Sequence, residues 1–300
     1  MKTCIGIDLG GTKIMAGVID EQGQVLHQLE VETPTQGDDV LAAIIHLCER
    51  LKAQYQVTAI GLGTPGQIAF PEGIVLGCTP NLKNWEKRNL RQNLEEKVQL
   101  NVAVDNDANV ATFAELKVGS GKGFDDFVLL TLGTGLGSGR VSGRQLCRGF
   151  HNLGIGYGHM IIEARGRYCN CGQQGCLESY VSGTGIVKTY RLKGGDLTVT
   201  SPDIFARAAG GEERALETLD FTWNMLATAV VNIFNTLAPQ AVLLGGGISR
   251  QGENVILAPL RAKVAGIMGM PFETPESICL ASLRSQAGMI GAGLMAFDLF

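Results

Sequence analysis

Three hundred residues, 45% hydrophobic and 18% charged, make a globular chain long enough for about two domains, and the 41 glycines follow no three-residue period, which excludes collagen. Lys and Arg number 25 against 29 Asp and Glu, a net charge of −4 that supplies no general attraction for nucleic acid or an anionic membrane. No apolar stretch reaches the roughly 18–20 residues that span a bilayer, and Met1-Lys2-Thr3-Cys4 leads straight into a strand with no signal-peptide core. The expectation is a cytoplasmic chain without a membrane or nucleic-acid partner, whose ligands have to be read from local sites.

In chain order, Cys4 to Asp8 and Ile14 to Ile19 are apolar runs joined by the glycine turn Gly10-Gly11-Thr12-Lys13, and a third run at Val25 to Val31 completes a three-strand meander. Leu41, Ile44, Ile45, Leu47, Cys48 and Leu51 keep a helical period behind Asp38-Asp39, which predicts a helix over 38–53. Next come a strand at Val57 to Leu62, a loop rich in glycine and proline, a short helix at Leu90 to Val98, a strand at Val102 to Val104 and a helix at Ala108 to Val118. The order then restarts: a strand at Phe127 to Leu132, the glycine turn Gly133 to Gly139, and a strand returning to Val141. After an inserted stretch, a helix is expected over Trp223 to Leu237, a strand at Ala241 to Leu244 ending in Gly245-Gly246-Gly247, a helix near 255–264, a strand at Ile278 to Ala281 and a closing helix over Ala287 to Phe297. This recurrence predicts internal duplication: an α/β protein with one lobe over 1–118 and a similar one over 119–300, facing each other across a cleft, with an insertion at about 150–180 in the second.

Glycine turns at matching places in both halves can point backbone N–H groups at an anion, so the pair suits a polyphosphate; glycine hairpins also simply turn corners. Asp8, beside the first turn, is placed to hold a metal-bound water. No GxxxxGK[ST] loop is present, and Gly61-Leu62-Gly63-Thr64-Pro65-Gly66 matches GxGxxG without the helix that a dinucleotide site needs. That segment reads as a substrate-side loop or a plain corner. Asp105-Asn106-Asp107-Ala108-Asn109 lies between a strand and a helix, where such residues cap. The same position suits a general base for phosphoryl transfer, with Asp107 as the base and Asn106 as its substrate-orienting neighbour.

Eight cysteines do not form a disulfide framework in a chain of this length; Cys4, Cys48, Cys78, Cys147 and Cys279 are scattered among apolar residues and read as buried thiols. Cys169, Cys171 and Cys176 are different, crowded into a glycine-rich knuckle with His159 ten residues upstream. A Cys3His set with no open position is a structural zinc site. It would fix a loop carrying substrate contacts, chiefly His159 itself and Glu178.

These motifs together, Asp8-Leu9-Gly10-Gly11-Thr12-Lys13, Asn106-Asp107, Leu132-Gly133-Thr134-Gly135, Gly158-His159, CxCGxxGC at 169–176 with Leu177-Glu178, and Gly245-Gly246-Gly247, resemble the ROK family of bacterial sugar kinases and related repressors over essentially the whole chain. The resemblance implies a two-lobed actin-like fold of the hexokinase type, often dimeric, with ATP and Mg2+ in the cleft and transfer of the γ-phosphate to a sugar hydroxyl, C6 being the family expectation. It assigns Asp107 as catalytic base and Gly66, Asn81, Asn106, His159 and Glu178 as sugar-side positions. Asp8, Gly10, Gly11, Thr12, Lys13, Gly133, Thr134 and Gly135 would serve the phosphates, and Gly245, Gly246 and Gly247 the adenosine. One position departs: Gly156 stands where family kinases commonly carry a Glu that contacts sugar hydroxyls. The reading is therefore an ATP-dependent hexose kinase acting on glucose or an N-acetylhexosamine, working as a homodimer. The alternative is a non-catalytic sugar-binding or regulatory member of the family. A repressor would need a DNA-binding domain ahead of Asp8, where no room is expected.

Overall fold

The computed structural model describes residues 2–77, 82–152, 154, 156–268 and 277–300. Contacts divide the chain into two compact units, one formed by Met1–Asp125, Gly139–Ile155 and Ser285–Phe300, the other by Asp126–Ser138 and Gly156–Arg284. Among the described residues no helix is long and apolar enough to cross a membrane.

The meander appears as β1 (Thr3–Leu9), β2 (Lys13–Asp20) and β3 (Val25–Glu32), followed by α1 (Gly37–Lys52). Then come β4 (Ala59–Thr64), a hairpin of β5 (Gln67–Ala69) and β6 (Ile74–Gly77), α2 (Leu90–Val98), β7 (Asn101–Asn106) and α3 (Asp107–Val118). The hairpin falls within the segment expected to be loop. Its turn holds Pro71 and Gly73, breakers that hide so short a strand pair from any periodicity. The first sheet runs β3-β2-β1-β4-β7, antiparallel in the meander and parallel across β1, β4 and β7.

The second round of elements is β8 (Phe127–Leu132), β9 (Leu136–Ser142), β10 (Gln145–Cys147), α4 (Glu178–Val181), α5 (Gly183–Leu192), α6 (Ser201–Ala209), α7 (Glu213–Leu237), β11 (Ala241–Gly245), α8 (Ala258–Ile267), β12 (Ile278–Leu280) and α9 (Ala287–Leu299). Its sheet runs β10-β9-β8-β11-β12, the order of the first sheet strand for strand. The inferred duplication is thus a property of the topology, and the mixed α/β architecture is as expected. Helix α7 begins ten residues before the expected start, because its first turns set Ala215 and Leu219 into the core while Glu213, Arg214, Glu217 and Asp220 dilute the apolar period. The inserted stretch carries α5, capped by Ser182, and α6, opened by a capping box between Thr200 and Asp203.

Alternation along β1 decides what each face carries. Ile5, Ile7 and Leu9 join the α1-side core with Ile44, Leu47 and Leu51, while Gly6 and Asp8 face α9. Gly6 pairs with Gly61 on β4, and a Cβ built on either would collide with α9 backbone, at Met289 and at Ala292. Gly61, the first glycine of the GxGxxG match at 61–66, therefore lets α9 lie against the sheet. In the next row, Asp8, Gly63 and Asp105 are aligned across β1, β4 and β7.

Candidate active site and metal centre

Asp107 is the first residue of α3, at the end of β7. Asn106 caps the helix: its Oδ1 accepts from Ala108 N at 2.9 Å and Asn109 N at 3.2 Å, while its Nδ2 donates to Gly66 O at 3.0 Å and Asp107 Oδ1 at 2.9 Å. That uses both amide hydrogens and both acceptor positions. In this structure Asn106 thus aims its neighbour and ties in Gly66, whose φ of +100° admits glycine readily. Asp107 Oδ1 also accepts from Ala108 N at 2.8 Å. Burial outweighs these bonds and pushes Asp107 up to about 6.

Asp8 is pushed up to about 7, by burial first and then by the charge of Asp107, with Lys13 opposing. Gly288, in the first turn of α9, makes room for it: a Cβ there would lie 2.5 Å from the Asp8 carboxyl carbon. The first glycine turn is closed by Gly10 N donating to Lys13 O and braced by Thr33 Oγ1 donating to Gly10 O; Gly11 and Thr12 are exposed at its tip. Lys13 pairs with Glu30 at 2.7 Å on the surface.

In the second unit, Gly133 N donates to Gly135 O, and Gly183 N, at the start of α5, donates to Gly133 O. Glu178 lies beneath the same turn, its Oε2 accepting from Leu136 N at 2.8 Å. Gly246 takes a φ of +84° at the end of β11, and Ser249 Oγ donates to its carbonyl. Asn81 and Cys78 lie outside the described residues.

The cysteine knuckle is a folded-back loop: Ile162 N donates to Gly175 O, Leu177 N to Met160 O and Cys169 N to Gln173 O, with Gly172 and Gly175 at positive φ. These bonds collect His159, Cys169, Cys171 and Cys176 so that one donor atom from each lies within 4.8 Å of the others. Cys171 Sγ to Cys176 Sγ is 3.6 Å and Cys169 Sγ to His159 Nδ1 is 3.7 Å, close to the ligand separations of about 3.4–3.8 Å that tetrahedral Zn–S and Zn–N bonds require. The donor set fits a closed structural zinc site. Nδ1 faces the Cys169 sulfur, which leaves Nε2 outside the donor set. Elsewhere, Cys4 and Cys48 are buried thiols, the latter pushed up to about 12 by burial, while Cys147 and Cys279 are half-buried.

Four side chains near Asp107 stand outside the set assigned from the sequence. Asp105, fully buried, receives hydrogen bonds from Asn109 and Asn152 and an ion pair from Arg148. Asp105 and Asn109 belong to the dense polar cluster already noted; Arg148 and Asn152 sit in a loop with no distinguishing pattern.

Sheet topology and the glycine turns between equivalent strands define an actin-like fold of the hexokinase type. The ROK family model matches residues 4–298, and the chain belongs to the ROK family. It is 32% identical to a glucokinase of Streptomyces coelicolor across 99% of this chain and 98% of that protein. It is also 33% identical to an N-acetyl-D-glucosamine kinase of Pectobacterium atrosepticum, over 85% and 87%. A crystal structure of a ROK family glucokinase from Streptomyces griseus, in complex with glucose and AMPPNP, superposes with a TM-score of 0.87 at 31% identity, covering 99% of each chain.

Proposed function

We propose that this protein is an ATP-dependent hexose kinase that transfers the γ-phosphate to the C6 hydroxyl of glucose or an N-acetylhexosamine. The observation that carries this reading is Asp107: a carboxylate at the mouth of a helix, aimed by Asn106, with a proton affinity lifted to about 6 so that it is ionised at neutral pH and still basic. Asp107 takes the proton of the sugar hydroxyl as its oxygen attacks the terminal phosphorus, and ADP departs with the former bridging oxygen. Phosphoryl transfer asks the protein mainly for positioning and charge stabilisation. Bound Mg2+ would neutralise phosphate charge, and the aligned carboxylate of Asp8 suits its hydration shell. We assign the glycine turns 10–13 and 133–135 to the phosphates, Gly245 to Gly247 to the adenosine side, and Gly66, Asn81, Asn106, His159 and Glu178 to the sugar. The zinc knuckle holds His159 and Glu178 in place and takes no chemical step. Reduced cysteines in a metal site suit a cytoplasmic setting, and a homodimer, testable by sedimentation, completes the reading.

Gly156 bears on which sugar is taken. Its φ of −81° is ordinary for any residue, and among the described residues a Cβ there would meet the His159 ring alone, at 3.9 Å. A glutamate therefore fits, and its absence removes charged acceptors worth about 1.5–3 kcal/mol per hydrogen bond. The test is a coupled ADP assay over glucose, mannose, fructose, N-acetylglucosamine and N-acetylmannosamine, run beside Gly156→Glu. The native protein should turn over at least one of them, and the variant should lower the KM for glucose about tenfold or more. Sugar binding with no ADP release from any of the five would favour the non-catalytic alternative.

A further inference from the structure

We propose that Arg148 is a positioning residue for the phosphoryl-transfer base: through its ion pair with Asp105 it holds the backbone at Asn106, and with it the aim of Asp107. The proposal rests on the kinase reading above. Asp105 is fully buried, and among the described residues the cation paired with it is Arg148, whose Nε lies 2.8 Å from Oδ2. The guanidinium is held in turn, lying 3.7 Å above the centre of the Phe70 ring. The other carboxylate oxygen, Oδ1, accepts from Asn106 N at 2.7 Å, Asn109 Nδ2 at 2.9 Å and Asn152 Nδ2 at 2.9 Å. One carboxylate thereby joins the residue before the base, the first turn of α3 and the loop after β10.

Arg148 and Asn152 reach Asp105 together because Gly154 N donates to Arg148 O and folds that loop back. Asn152, at a φ of +59°, also donates to Ile68 O at 2.8 Å and accepts from Asn109 Nδ2 at 3.0 Å. Asparagine tolerates that left-handed backbone. A buried ion pair is seldom the cheapest way to stabilise a fold, and its best-attested use is to specify one geometry. Here the geometry specified is that of the peptide leading into Asp107. Without the guanidinium, Asp105 is a buried charge without that counter-ion, and its grip on Asn106 N loosens.

The charge of Asp105 also bears on the base. Facing Asp107 are Asp105 from β7 and Asp8 from β1, with Lys13 of β2 acting on Asp8 and Arg148 on Asp105. The first turn of α9 brings Gly288, which carries no charge, against Asp8. Asp105 is among the groups that hold the proton affinity of Asp107 up, so neutralising it by Asp105→Asn lowers that affinity.

The test compares Arg148→Met, Arg148→Lys and Asp105→Asn in the full chain, each confirmed as folded by its thermal melt. Arg148→Met should lower kcat about 10- to 100-fold, as a misaimed catalytic group does, with KM for sugar and ATP within about threefold. Arg148→Lys, which keeps the charge but not the planar fork, should recover part of the loss. Asp105→Asn should move the acid limb of the pH profile lower. In Arg148→Met, hydrogen exchange at the Asn106 amide should rise while that of α2 stays as in the native chain. A folded Arg148→Met with native kcat and native Asn106 exchange overturns the proposal, as does an acid limb unmoved in Asp105→Asn. If the native chain releases no ADP with any sugar, the kinase reading falls, and Asn106 exchange still decides whether Arg148 positions this peptide.

Discussion

Replacing Asp107 by Asn separates the chemistry from the fold. The two bonds to its Oδ1, from Asn106 Nδ2 and Ala108 N, can both be accepted by an amide oxygen, so the start of α3 keeps its geometry. What disappears is the charge. Burial lifts this carboxyl from the ordinary 3.8 to about 6, roughly two pH units, equivalent to about 3 kcal/mol. Because the folded value is the higher one, the ionised form weighs against folding: the penalty is absent below the unfolded value, grows as pH rises toward 6 and is complete above it. Solvent reaches part of the side chain, which reduces the effect to about 1–2 kcal/mol. At pH 8 the variant should therefore melt about 2–8 °C above the native protein, while near pH 4 the two should melt together. Activity moves the opposite way, with sugar-dependent ADP release down by about 10²–10⁴-fold. Calorimetry at both pH values beside a coupled assay at pH 8 reads both quantities. An undiminished rate refutes the role as base, and a variant that melts lower at pH 8 refutes the electrostatic argument.

Three further outcomes are expected. The kcat/KM of the native enzyme should fall with unit slope as pH drops below about 6, where Asp107 takes its proton; a profile flat to pH 5 would remove Asp107 from that role. Chelation that strips the knuckle, confirmed by elemental analysis, should lower the melting temperature by about 5 °C or more and raise hydrogen exchange over 159–178. An unchanged melt of metal-free protein would deny the site a structural function. Gly61→Ala sets a methyl against the Ala292 backbone of α9 and should cost about 1–3 kcal/mol or more, seen as a lower denaturant midpoint.

Much of the molecule was legible in one dimension, because strands, turns and caps obey local rules. Apolar runs broken by glycine located the first meander and the first two strands of the second, and the Cys3His spacing assembled in space as its chemistry requires, since a knuckle of eight residues leaves few ways to separate its thiols. The cluster at 105–109 announced itself by density: its capping role is met by Asn106, and Asp107 beside it is the residue to which the proposed chemistry is assigned. Its inner member was not legible. Asp105 looks like its neighbours on paper, and only the register of β7 turns it inward to meet Arg148 and Asn152, some forty residues away. The glycines at 61 and 63 mimicked a nucleotide fingerprint; Gly61 makes room for α9, more than two hundred residues later, and Gly63 for Val110 of α3. That closing helix shows the division most plainly. Its helical character follows from composition, yet its place in the first unit, with Gly288 against Asp8, depends on long-range packing that no local pattern encodes.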